Sequence, residues 1–107
     1  MLDAQLKRGL LDVCVLAVLR KGDSYGYQII KDLSGCIAIS ESTLYPILKR
    51  LEASKTLTDY SVEHNGRLRR FYRITDAGRK QLSDFLESWS EMNAVYEFVK
   101  ESCENDA

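Results

Sequence analysis

Apolar positions along the chain recur at helical spacing in four stretches and alternate in a fifth. The segment from Leu2 to Arg20 is helical in character, and from Leu10 through Leu19 it is apolar on almost every side apart from Asp12. That pattern predicts a buried central helix. Lys21-Gly22-Asp23 reads as a turn, after which Ser24 is placed to cap a second helix with Tyr25, Ile29 and Leu33 on one stripe and Ile30 beside it. Gly35 then stands at the C′ position that ends the helix. Gly26, in its first turn, lowers helix propensity and is expected to mark close packing against a neighbour.

After a loop from Gly35 to Ile39, the stretch from Ser40 to Leu57 predicts a helix with two chemically different faces. Leu44, Ile47, Leu48 and Leu51 form an apolar stripe. Opposite them lie Ser42, Tyr45, Pro46 and Lys49, bordered by Thr43 and Arg50, a set of hydroxyls and cations suited to phosphates and base edges. Ser40 is the expected N-cap, and Pro46 predicts a short or slightly kinked first turn, because a helical proline removes a donor and crowds the preceding turn. Three helices in tandem, the third of them bifunctional, suggest a helix-turn-helix domain.

Residues 57 to 75 alternate instead, around Asn65-Gly66, the dipeptide that supplies positive φ at both centres of a type I′ hairpin turn. With that turn Glu63 pairs with Leu68, Tyr60 with Phe71 and Leu57 with Ile74. One face carries Leu57, Leu68, Tyr72 and Ile74, and the other carries Tyr60, Val62, Phe71, Arg67, Arg69 and Arg73. His64, Arg67, Arg69, Arg70 and Arg73 thus make a basic ribbon directly after the third helix, the position of a DNA-gripping wing. From Thr75, a good N-cap, the last helix runs to about Lys100 or beyond. Its positions Leu82, Phe85, Trp89, Met92, Tyr96, Val99 and Cys103 follow spacings of three and four. That seam predicts a homodimer, with Leu82, Phe85, Trp89, Met92, Tyr96 and Val99 at the interface.

Charge sharpens this picture. Residues 1–80 hold 14 Lys and Arg against 9 Asp and Glu, whereas residues 81–107 hold 1 against 7. A basic front and an acidic final helix suit a polyanion on one side and solvent or protein on the other. The N-terminus lacks the marks of a signal peptide and no apolar run is long enough for a membrane span, so the expected location is the cytoplasm, without membrane attachment. Three cysteines, Cys14, Cys36 and Cys103, without any CxxC, indicate reduced thiols rather than a disulfide framework or a metal site. A redox-sensing role for Cys36 or Cys103 is the minor reading. The lone histidine, His64, has no carboxylate and nucleophile set around it, and phosphate loops are lacking, so neither catalysis nor a cofactor is expected.

The succession LLDVCVLAVLRKGDSYGYQII, STLYPILKRLE and GRLRRFYRITDAGR resembles the PadR family of bacterial winged-helix transcriptional regulators over nearly the whole chain. The TLYP segment and the wing pattern of Gly66, Arg67, Arg69, Arg70, Phe71, Tyr72, Arg73 and Thr75 carry the likeness. Phe71 and Leu68 depart from the commoner residues there. The resemblance implies a mainly α fold with a small β-hairpin wing: a winged helix-turn-helix DNA-binding domain over residues 1–75 and a long C-terminal dimerisation helix over 76–107. It further implies a dimeric repressor on a palindromic double-stranded DNA operator, with Ser42, Thr43, Tyr45 and Lys49 in the major groove and the wing on flanking backbone. It accounts for Pro46 as part of a family motif. The single final helix resembles the smaller, multidrug-sensing subgroup, and so implies a planar aromatic effector stacked on Trp89, with walls from Val13, Ala17, Phe85 and Leu86. The alternative is a winged-helix protein-interaction module that uses the basic wing on an acidic partner, without operator specificity.

Overall fold

The computed structural model describes residues 3–105. Leu2, with which the first predicted helix begins, lies outside them. Helix α1 (Ala4–Arg20) starts at Asp3, whose carboxylate caps Gln5 N at 2.8 Å. Val13, Val15, Leu16 and Leu19 of α1 are buried, and the helix packs against every other helix and the sheet, as a central helix must. Its first turns, however, are exposed, as is Ala17, so only part of the circumference is core.

The second helix begins later than the capping pattern predicts. Ser24 and Tyr25 form a short strand, β1 (Ser24–Tyr25), and helix α2 (Gly26–Leu33) follows with Tyr25 as an N-cap that makes no side-chain bond. The physical reason lies in the sheet. Strand β3 (Arg67–Ile74) pairs on one side with β2 (Leu57–His64) and on the other with β1, through Ser24 opposite Tyr72 and Tyr25 opposite Phe71. Pairing of β3's second edge outweighs a side-chain cap, and it leaves the Ser24 hydroxyl buried without a partner among the described residues. Gly35 stands at C′ as expected, but without positive φ; the turn closes through Cys36 N and Ile37 N, both donating to Leu33 O at 2.8 Å.

Helix α3 (Glu41–Ala53) is capped by Ser40, whose hydroxyl accepts from Thr43 N at 3.3 Å. Pro46 lies inside the regular helix, past its first turn. The first turn is nevertheless tight, since Ser40 O accepts from both Thr43 N and Leu44 N. The helix ends in a Schellman arrangement: Thr56 N donates to Leu51 O and Lys55 N to Glu52 O, with Lys55 in the left-handed region at φ 63°. Leu44, Ile47, Leu48 and Leu51 all enter the core.

The hairpin adopts the register that the sequence predicts, Leu57 opposite Ile74, Tyr60 opposite Phe71 and Glu63 opposite Leu68, with positive φ at Asn65 and Gly66. Leu57, Tyr72 and Ile74 turn inward to close the core. Thr75 caps helix α4 (Asp76–Asn105), accepting Gly78 N at 3.2 Å while donating to Lys55 O at 2.8 Å. The ends of α3 and α4 are thereby fastened at one point. Helix α4 spans about 45 Å at 1.5 Å per residue. It makes the molecule elongated, 66 × 26 × 22 Å with a radius of gyration of 17.1 Å, against about 13 Å for a compact chain of this length.

Candidate nucleic-acid interface

Two elements rigidly joined to the core present the basic and hydroxyl side chains. On α3 the buried stripe turns Ser42, Thr43, Tyr45, Pro46 and Lys49 outward, all exposed. Ser42 and Thr43 are not loose: their hydroxyls lie 2.9 Å and 3.3 Å from Ser40 Oγ, in a cluster at the helix start. Arg50, expected at the border of this face, is instead ion-paired with Asp12 of α1 and serves to hold α3 on the central helix.

Tyr45 shows why Gly26 is a glycine. A Cβ there would stand 2.9 Å from the Tyr45 hydroxyl, so the missing side chain is the seat of the tyrosine ring. This is the close packing that the sequence predicts for Gly26, and it fixes the direction in which Tyr45 leaves the helix.

The wing separates its cations into held and unheld ones. At the base, Asp23 in the turn after α1 accepts from Tyr60 Oη at 2.7 Å and from Arg73 Nε and Nη2 at 3.0 and 2.9 Å. The Arg73 and then the Tyr60 hydrogen bond hold the Asp23 carboxyl below the usual carboxylate range. Arg73 also lies over the Tyr60 ring, 5.1 Å from its centroid. Arg70 pairs with Asp59 across the other face at 3.0 Å, and Arg69 stacks 4.4 Å over the Tyr25 ring. Tyr25 packs in turn edge-on to Phe71, and Tyr60 stacks on Phe71. His64 and Arg67, at the tip, have no ion pair among the described residues, and neither has Lys49.

A cleft of about 780 Å³ opens between α3, the start of α2 and the wing. Of the residues that the sequence singles out for DNA, Tyr45, His64, Arg67, Arg69 and Arg70 line it. Ser42, Thr43 and Lys49 lie on the same helix as Tyr45 but outside that lining, and so does Arg73, which is ion-paired with Asp23 at the wing base while its side chain stays 62% exposed. Two tyrosines that the sequence does not single out for DNA join them: Tyr25, which its spacing assigns to the core stripe, and Tyr27, 64% exposed. A signal is present in the SYGY run, but only the strand at Ser24–Tyr25 turns it toward the wing.

The second group of predicted residues is divided. Val13, Ala17, Phe85 and Leu86 line a cleft of about 710 Å³ between α1 and α4. Trp89 is outside that lining, with its ring 5.9 Å from that of Phe85. Of the predicted seam, Leu82 packs against the core of its own chain and Phe85 is half-buried, while Trp89, Met92, Tyr96 and Val99 are exposed together with Leu86, Val95 and Phe98. No helix among the described residues is long and apolar enough to cross a membrane.

Residues 15–84 match the model of the transcriptional regulator PadR-like family. The chain is 43% identical over 89 residues to transcriptional regulator Rv3488 of Mycobacterium tuberculosis, an alignment that covers 82% of this chain and 83% of that protein. Its fold superposes on a PadR-like transcription factor of Bacteroides fragilis with a TM-score of 0.82 at 32% identity, over 90% of this chain and 95% of the other. It also superposes on Bacillus subtilis PadR, solved in complex with operator DNA, with a TM-score of 0.68 at 28% identity. That match covers 72% of this chain and 46% of that one.

Proposed function

The chain belongs to the PadR-like family of transcriptional regulators, proteins that bind DNA and are not enzymes, and from that premise we propose how its own residues do so. The protein is a repressor that binds a palindromic operator as a homodimer in the cytoplasm. Residues 1–75 form the DNA-binding domain and 76–107 the dimerisation helix. Helix α3 enters the major groove with Ser42, Thr43, Tyr45 and Lys49, while His64, Arg67, Arg69 and Arg70 lie along the flanking backbone and Arg73 braces the wing from its base. The observation that carries this reading is the shared cleft: Tyr45 of α3 and the cations of the wing face one space, so one polyanion touches both.

Dimerisation is supported by the apolar residues on the outer half of α4, which the other described residues leave exposed. A planar aromatic effector fits the same reading, entering the cleft between α1 and α4 and stacking on Trp89, which Phe85 orients.

Fluorescence anisotropy on the DNA upstream of the protein's own gene, against a random duplex over a salt series, tests the proposal. Salt-sensitive preference for the upstream DNA is expected. Arg67→Ala is expected to weaken binding to both duplexes and to flatten the log–log salt slope by about 0.9, the value for one phosphate no longer neutralised. Lys49→Ala is expected to reduce the preference itself. Equal weak binding to both duplexes together with stoichiometric capture of an acidic protein would replace operator recognition by protein interaction. Trp89 is the single tryptophan, so a planar aromatic cation that binds beside it should quench the intrinsic fluorescence, and release of the operator should follow the same titration.

A further inference from the structure

The three cysteines are free thiols, scattered in sequence, but the fold brings two of them into one place. Cys14 of α1 and Cys36, in the turn after α2, line a cleft of about 600 Å³ formed where those helices pack. Neither position is loose. Cys14 leans on the core, and the backbone of Cys36 is anchored to α2 by its N–H bond to Leu33 O, Leu33 being itself a core residue. The thiols differ in access: Cys36 is exposed and Cys14 half-buried. Cys103 stands far out on α4, about 40 Å along the helix from its first residue, beyond the reach of either.

We propose that Cys14 and Cys36 are a peroxide-oxidisable dithiol that closes to an intrachain disulfide. An accessible thiol beside a sheltered one is the arrangement that a two-step oxidation uses. The Cys36 thiolate attacks one oxygen of a hydroperoxide. The O–O bond breaks, the other oxygen leaves as an alcohol, or water, with a proton, and Cys36 becomes a sulfenic acid. The Cys14 sulfur then displaces hydroxide from the Cys36 sulfur. The proton that Cys14 gives up leaves with the hydroxide as water, and the S–S bond forms. Two thiols and one hydroperoxide yield one disulfide, one alcohol and one water; the protein gives up two electrons and two protons.

The environment fits these roles. Burial, and then the adjoining Cys36 thiol, push the Cys14 thiol up, which leaves the first attack to the exposed Cys36. The bond would tie α1 to the segment just ahead of Ser40, the cap of α3. The inference concerns the thiols alone and stands whether or not α3 reads DNA.

The test uses the full chain with Cys103→Ser, treated with hydrogen peroxide. Both remaining thiols should disappear together, with a mass lower by two hydrogens, no covalent dimer, a peptide joining Cys14 to Cys36, and full recovery with dithiothreitol. Accumulation of Cys36 sulfinic acid while Cys14 still alkylates would overturn the proposal, as would a cross-link found only between chains. Adding Cys14→Ser should arrest Cys36 as a sulfenic acid that dimedone captures. Because Cys14 leans on the core, the complementary Cys36→Ser variant, changed at an exposed site, gives an independent reading. Cys14 alone should consume peroxide about tenfold more slowly than the pair or slower still, and an unchanged rate would remove Cys36 as the attacking thiol.

Discussion

Helices α3 and α4 carry apolar residues at the same spacing, and the fold treats them in opposite ways. Leu44, Ile47, Leu48 and Leu51 of α3 are at most 3% exposed, whereas Trp89, Met92, Tyr96 and Val99 of α4 are all about half exposed. Periodicity therefore identifies a face but not what covers it. For α3 the cover is α1, α2 and β2 of the same chain; for the outer half of α4 the described residues supply none. The difference also separates two kinds of stability, one internal to the winged domain and one that depends on concentration.

Leu48→Ala is expected to cost about 2–5 kcal/mol in denaturant unfolding at any protein concentration, since it empties a site at the centre of the core. A cost below that range would mean that the core around α3 collapses freely. Next comes Gly78→Ala at the root of α4. Its Cβ would stand 2.3 Å from the backbone oxygen of Thr56 and 2.7 Å from Ile74 Cγ1, neither the end of a mobile side chain. A destabilisation of at least about 1–3 kcal/mol is expected, measured in the same way, and alanine's better helix propensity will not offset it. Gly26→Ala, which meets only the hydroxyl end of the Tyr45 ring and no backbone atom, should be much milder.

Tyr96→Asp addresses the other side of the contrast. At low concentration its unfolding should stay within about 0.5 kcal/mol of the parent, as for an exposed site. Size-exclusion with light scattering should find the parent dimeric at micromolar concentration and the variant shifted to monomer. A monomeric parent would sink the proposed dimer and leave the exposed face of α4 to another partner.

The smallest expected effect is the pH response of the wing base. Arg73 and Tyr60 depress the Asp23 carboxyl, so its contribution to stability is full above its ordinary value of 3.8 and disappears as pH falls through the lower folded-state value. Unfolding of Asp23→Asn followed from neutral pH down through that window should lack this part of the acid sensitivity. An identical pH profile in both proteins would show that the pairing at this exposed site is energetically idle.

The hairpin was the most legible part of the chain in sequence, because Asn65-Gly66 fixes the turn and a period of two then fixes the register of every pair. The face of α3 was nearly as legible, since four leucine and isoleucine positions at helical spacing leave one orientation. Ser24 misled because a local capping preference competes with sheet pairing, and its outcome depended on a strand more than forty residues away. The partners of Arg50 and Arg73 are not legible in sequence, because charge is visible there while a long-range contact is not; Asp12 and Asp23 pair with them across the fold. Cys14 and Cys36 looked unrelated for the same reason.

Sequence alone is enough for the four helices, the hairpin and its turn, and the buried face of α3, because backbone propensity and hydrophobic period act over a few neighbouring residues. Only the tertiary structure decided that β1 completes the sheet, that Gly26 seats Tyr45, which wing arginines are tied down, and that two thiols share a cleft. Those outcomes turn on distances between segments remote in the chain, which are set by packing and chain geometry together rather than by any local preference.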